Sequence, residues 1–224
     1  MTLKKNDFVE IQFTGKTQEG QVFDSNIKED LDKLRSEVVP KNLIFPLGSQ
    51  MFLKGVEDFL IGKEPGKYEL SLTPENAFGL RNPNLIQLMP LKVFTEQKLR
   101  PAIGFTFNFD GKMGKVISAS GGRVRVDFNH PLAGKPVNYS VNVLRTIEDT
   151  GEKIKALNES IFRKKFDFEI KETKLVMQVE KQLAKFVEMF KDPFKEFLGL
   201  DLEVKEIADK EKEHVHDENC KHEH

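Results

Sequence analysis

Four of the five histidines and the only cysteine fall within eleven residues: His214, His216, Cys220, His222 and His224. Imidazole and thiolate at that density suit a transition metal, with Ni²⁺, Cu²⁺ or Zn²⁺ the expected class. The spacing matches no closed zinc finger, so the expectation is a segment that folds around an ion, not a structural site. The plainer alternative is a solvated charged tail. The remaining histidine, His130, precedes Pro131 and reads as a turn residue. A histidine-based triad is therefore not expected outside the tail, and no Gly-x-Ser-x-Gly, His-Glu-x-x-His or P-loop pattern occurs. Chemistry elsewhere in the chain must proceed without a histidine base. What the chain has in quantity is phenylalanine: 19 Phe against 2 Tyr and no Trp. Such a sequence builds apolar pockets in which few aromatic rings can also hydrogen-bond.

The bulk composition narrows the classes. In 224 residues, 35 Lys and Arg stand against 36 Asp and Glu, a formal charge of −1. That balance argues against a nucleic-acid partner. A single cysteine excludes a disulfide within the chain. No apolar run approaches the roughly 18 residues that cross a bilayer. Met1 to Asp7 leads straight into strand-like sequence, so the expectation is a cytoplasmic protein with no membrane partner.

Elements that would position a site can be read in order. Residues 7–14 alternate as a half-buried strand, Gly15 and Glu19-Gly20 mark turns, and Gln21 to Asp24 forms a second short strand. Residues 26–42 read as a long surface loop with a helical turn or two. Leu43 to Leu47 is a strand. Gln50 to Ile61 is a helix with Phe52, Val56, Phe59 and Leu60 on one face, stopped at Gly62. Lys67 to Thr73 alternates again. A β unit follows, with strands around Phe105-Phe107-Phe109, Lys115 to Ala119 and Val124-Val126-Phe128. It holds a local basic excess, eight Lys and Arg against three Asp and Glu over 84–136. The phenylalanine face is its expected core. Leu85 to Met89 packs on that sheet or offers an apolar surface. Val137 to Ile147 is one long strand. From Gly151 an α-β-β-α-β pattern carries its own apolar set, with Pro193 kinking or restarting the second helix.

The residues at this point resemble a known family. Phe13-Thr14-Gly15, Glu19-Gly20 and Phe23-Asp24-Ser25 resemble the first hairpin of FKBP-type peptidyl-prolyl isomerases. Leu47-Gly48-Ser49-Gln50-Met51-Phe52-Leu53-Lys54-Gly55-Val56-Glu57 resembles its strand-to-helix segment, and Pro74-Glu75-Asn76-Ala77-Phe78-Gly79 its flap start. Phe128-Asn129-His130-Pro131-Leu132-Ala133-Gly134-Lys135 resembles the closing signature of the SlyD-like branch, which carries an insert-in-flap domain. The likeness covers about Asp7 to Ile147. The long loop and the unit after Gly151 resemble the longer archaeal versions.

The resemblance implies an α+β fold: an FKBP-like antiparallel half-barrel wrapped on a short helix, an inserted small β domain in the flap, and a C-terminal α/β unit. It implies an isomerase domain at 1–83 plus 137–150, an insert at 84–136, a C-terminal domain at 152–208 and a tail at 209–224, disordered without a ligand. It implies isomerisation of Xaa-Pro bonds without a cofactor, leaving Ni or Zn for the tail. The catalytic positions carried over are Asp24, Phe13, Phe78 and Tyr139. Those that would bind the proline are Phe23, Leu43, Phe52, Leu53 and Val56. The family usually has Tyr at Phe13 and Phe78 and Trp at Val56, so hydroxyls that orient Asp24 and a substrate carbonyl are missing. Taken singly, the rings are ordinary core residues and Asp24-Ser25-Asn26 an ordinary turn or cap; their order together carries the likeness. Expected partners are unfolded or partly folded proline-containing polypeptides, held by the insert. Residues 152–208 could pair two chains as a homodimer. The alternative is a non-catalytic chaperone or metal-handling protein on the same scaffold.

Overall fold

A computed structural model describes residues 1–37 and 39–207 of the chain. The tail at 209–224, with the five candidate metal ligands, lies outside the described residues. The chain divides into two compact units, 1–43 with 47–146, and 44–46 with the residues from Ile147 on. The longer stretch of the second unit starts at Ile147, just ahead of Gly151. Among the described residues, no helix is long and apolar enough to cross a membrane.

The first unit is built on β1 (Phe8–Thr17), β2 (Val22–Ser25), β4 (Lys67–Leu72) and all but the last residue of β9 (Val137–Ile147); the short β3 (Leu43–Pro46), between β2 and β4 in the chain, gives its last three residues to the second unit. The main sheet runs β2-β1-β9-β4. Alternation explains it: Ile11 and Phe13 on β1, and Val137, Tyr139, Val141 and Val143 on β9, point to one face and are buried. The long surface loop contains one short helix, α1 (Lys28–Lys33).

Two local expectations change. Gly15 is no turn: it lies within β1, opposite Asp24, where the register shifts in a bulge. A Cβ there would come within 2.8 Å of the Tyr139 ring and 2.9 Å of the Phe23 ring. The missing side chain is what lets both rings close over the strand. The expected helix from Gln50 is shorter, α2 (Lys54–Leu60), with Val56 and Leu60 buried. Gln50 has φ of 60°, a left-handed backbone that a helix cannot continue through.

Within the first unit, residues between β4 and β9 form a second sheet with its own core. Its strands are β5 (Ile86–Pro90), β6 (Thr106–Phe109), β7 (Lys112–Ser120) and β8 (Arg123–Asp127), ordered β5-β8-β7-β6, beside α3 (Leu91–Glu96). Phe94, Val116, Val124 and Val126 are buried, and Met89, Phe107, Phe109 and Phe128 pack on them. Phe105 does not belong to that core: it precedes β6 and is 58% exposed. Leu85 to Met89 divides its apolar residues, Met89 inward and Leu88 outward at 57% exposed.

The second unit has α4 (Thr150–Phe162), β10 (Phe168–Lys171), β11 (Lys174–Glu180), α5 (Lys181–Glu188), α6 (Lys191–Leu198) and β12 (Asp201–Ile207). Asp149 caps α4 by accepting from the Glu152 N–H at 2.7 Å. β10 pairs antiparallel with β11, and β11 parallel with β12, which requires the helical crossover supplied by α5 and α6. Pro193 sits in the first turn of α6, so the pattern is two helices, where Pro lacks no needed N–H.

Candidate functional site

The site begins with how β2 is pinned. The Ser25 hydroxyl donates to the Phe13 carbonyl at 2.9 Å, and the Phe13 N–H donates to the Asn26 side chain at 2.8 Å. Thr14 donates to the Asp30 carboxylate at 2.6 Å. That bond, with lesser help from Lys33 and Ser25, holds the Asp30 carboxyl below the usual aspartate range. These ties fix Asp24 at the end of β2, opposite Gly15.

Asp24 then meets a cluster of rings. Phe13 lies 4.7 Å from Phe52 and 6.2 Å from Tyr139 between centroids. Phe23 meets Phe78 edge-on at 5.7 Å and Tyr139 at 5.8 Å, and Phe52 meets Tyr139 at 5.7 Å. Edge-to-face geometry of this kind sets the positive rim of one ring on the negative face of another. Phe13, Val56 and Tyr139 are buried, while Phe23, Phe52 and Phe78 are half-buried and form the accessible surface. The Tyr139 hydroxyl donates to Asp24 Oδ2 at 3.4 Å. Burial raises the Asp24 carboxyl above the ordinary aspartate value of 3.8, and the Tyr139 hydroxyl offsets part of the rise. Burial and the neighbouring carboxylate push the Tyr139 phenol far above its usual range, so it stays a donor.

A cleft of about 830 Å³ opens beside these groups. Phe23, Asp24 and Phe78 line it, and it runs past Arg81 to Met113, Lys115 and Ile117 on the outer face of the inserted sheet. Of the other residues expected at the site, Phe13, Phe52, Val56 and Tyr139 pack in or beside the ring cluster behind this cleft and do not line it, and neither do Leu43, at the start of β3, and Leu53, at the N-cap of α2, both half-buried.

Glu57 on α2 is a positioning residue the sequence reading left unassigned. Its carboxylate is buried and accepts from the N–H groups of Gly48 at 2.7 Å, Gln50 at 3.1 Å and Phe52 at 2.8 Å. The loop that carries Phe52 into the ring cluster is thus folded around one side chain. Glu57→Ala would strand those donors; at about 1–3 kcal/mol for an unsatisfied buried donor, partly relieved by water, the expected loss is about 2–4 kcal/mol. For a domain of this size that is a Tm lower by roughly 4–16 °C by calorimetry, and an unchanged Tm would refute the role.

Known proteins are similar to this chain in sequence. Residues 1–92 match the family model of FKBP-type peptidyl-prolyl cis-trans isomerases, and residues 87–132 match the model described as the FKBP26 IF domain. The short-type peptidyl-prolyl cis-trans isomerase of Methanocaldococcus jannaschii is 30% identical over 146 residues, 63% of this chain and 92% of that protein. The FKBP-type 16 kDa peptidyl-prolyl cis-trans isomerase of Escherichia coli is 32% identical over 149 residues, 64% of this chain and 93% of the relative. The chain belongs to the FKBP-type peptidyl-prolyl cis-trans isomerase family. SlyD of Haemophilus influenzae, 31% identical over 160 residues covering 69% of this chain and 77% of SlyD, supports the SlyD-like branch.

In this FKBP-type isomerase, one of the two buried rings nearest Asp24 serves it as a donor. Phe13 offers Asp24 no hydroxyl, and Tyr139 on β9 supplies one instead. His130, read from sequence as a turn residue, also lines the cleft, and its ring stacks on Phe78 at 4.6 Å with 7° between planes. No sequence signal links positions so far apart across an inserted domain. Among the described residues no group of three or more His, Cys, Asp or Glu side chains could hold a metal ion.

Proposed function

We propose that this chain isomerises Xaa-Pro bonds in unfolded or partly folded polypeptides, with Phe23, Phe52 and Phe78 gripping the proline ring and Asp24 beside the twisting amide. The bond crosses a barrier of about 18–20 kcal/mol because resonance gives C–N double-bond character. In the planar amide the oxygen carries extra negative charge, and in the twisted state it carries less. Removing water withdraws hydration from the polar planar form, and a carboxylate beside the oxygen disfavours that form further. Neither effect needs a proton to move. The observation that carries the reading is Asp24, half-sequestered at the rim of the ring cluster with Tyr139 donating to it. Exchange spectroscopy on a tetrapeptide containing Ala-Pro tests it. Acceleration at catalytic protein concentration is expected; exchange at the uncatalysed rate would leave only the chaperone reading.

The inserted sheet would hold the client chain. Supporting this are Leu88, Met113 and Phe105, each more than half exposed, and the position of Met113 in the cleft wall. Two contacts raise the concentration of a proline at the catalytic cleft. The tail would bind Ni²⁺ or Zn²⁺ through His214, His216, Cys220, His222 and His224, on the strength of their residue types alone. Calorimetric titration should show binding by the full chain, weakening as pH falls below about 6.5 where imidazole protonates. A truncation at Lys212 should lose it; equal binding by both chains would remove the tail from metal handling.

A further inference from the structure

Phe78 stands in a loop, after a single 3-10 turn at Pro74–Asn76 and before Gly79, whose φ is 78°. No helix or strand fixes its ring. Two ring contacts do: the edge of Phe23 and the parallel face of His130. His130 belongs to the return crossing from the inserted sheet. That crossing is tied to the outgoing one by several bonds. Arg81 pairs with Asp127. The Asn82 N–H donates to the Asn129 side chain at 2.8 Å, and Asn129 returns a bond to the Asn82 carbonyl at 3.0 Å. The Gly134 N–H donates to the Gly79 carbonyl at 2.8 Å, next to Phe78 itself. His130 is oriented within this frame, because its Nδ1 accepts the Leu132 N–H at 3.2 Å. That bond acts at the ring's edge and orients its plane, and one face of the ring stacks on Phe78.

We propose that His130 is a positioning residue for isomerisation: its ring, held by the Leu132 N–H, backs Phe78 and keeps that wall of the proline cleft in place. The idea rests on the reading of the cleft as the isomerase site. His130 acts here as a flat surface and transfers no proton. The insert thus contributes to the cleft through its stem, separately from any hold its sheet has on a client.

Two substitutions separate the ring from the turn. Asparagine places Oδ1 where histidine has Nδ1, so His130→Asn keeps an acceptor for Leu132 and loses the ring. His130→Phe keeps a ring to stack and loses the acceptor. Kinetics on the Ala-Pro tetrapeptide and the Tm of each full-length variant are measured together. The expected result is a kcat/KM about 5- to 10-fold lower for His130→Asn, mostly through a raised KM because the wall grips ground and transition states alike. His130→Phe should stay within about twofold of the wild type. A role confined to the turn gives the reverse order. The proposal is overturned if His130→Asn keeps wild-type kcat/KM, or if His130→Phe falls as far as His130→Asn. A wild type without turnover would instead overturn the isomerase reading, and this proposal with it.

Discussion

Replacing Asp24 by asparagine should lower kcat/KM on a short Xaa-Pro peptide about fourfold while the protein becomes no less stable. The size follows from the charge. Two unit charges at about 4 Å and an effective dielectric near 20 interact by about 4 kcal/mol, and about a fifth of a charge leaving the amide oxygen scales this to about 0.8 kcal/mol. The Tyr139 hydroxyl donates to Asp24 before and during the twist and so adds nothing to the difference; about 0.8 kcal/mol is about fourfold in rate. Stability moves the other way. The folded-state value of Asp24 is raised above 3.8, so folding favours its protonated form. Its contribution to stability is greatest below the unfolded value and is lost as pH climbs through the raised one. At neutral pH the buried charge is a cost, which asparagine removes. The wild-type kcat/KM should rise with pH through a value above 3.8, and that of Asp24→Asn should not. A folded Asp24→Asn variant within twofold of wild type, or with the same pH profile, would remove the charge from the mechanism.

How far the sequence reveals this site depends on what kind of contact builds it. Strand alternation locates β1, β4 and β9, because one buried face imposes period two on each. It cannot show that Gly15 lies inside β1, since a bulge residue and a turn residue are both glycine for the same steric reason. Alternation also places Phe105 with Phe107 and Phe109, yet the strand begins after Phe105 and that ring faces solvent. The face of α2 is legible in Val56 and Leu60. The extent of the helix is not, because Glu57 folds the preceding loop by accepting three N–H groups through space. Motif order brings Phe13, Phe23, Phe52, Phe78 and Tyr139 into one ring cluster only by resemblance; taken one by one they read as core. The Tyr139–Asp24 bond and the His130–Phe78 stack join residues separated by a whole inserted domain, and local pattern has no purchase on them.

The stem of the insert makes the outcome of deleting it depend on where the chain is cut. Joining Pro83 directly to Val137 would remove Asp127, Asn129 and His130, and with them the backing of Phe78. Replacing residues 88–125 with Asn-Gly would not. Gln87 and Val126 are partners across the antiparallel pair, and Asn-Gly supplies the positive φ angles of a two-residue hairpin turn. That shorter excision keeps the Arg81–Asp127 pair, the Asn82–Asn129 bonds and the His130 stack, and takes away Leu88, Met113, Ile117 and the buried core around Phe94. With it, turnover of a tetrapeptide should remain within about threefold of wild type, because a tetrapeptide occupies the cleft alone. Catalysis of proline-limited refolding of a whole protein should fall by about 100-fold, the scale at which a second tethered contact raises local concentration. The blunt cut should lose both activities. Equal loss of both activities in the shorter excision would mean that the sheet itself, and not its stem, completes the cleft. Undiminished refolding catalysis in that variant would mean that the cleft captures folding chains unaided, and that the exposed face bearing Leu88 and Met113 holds no client.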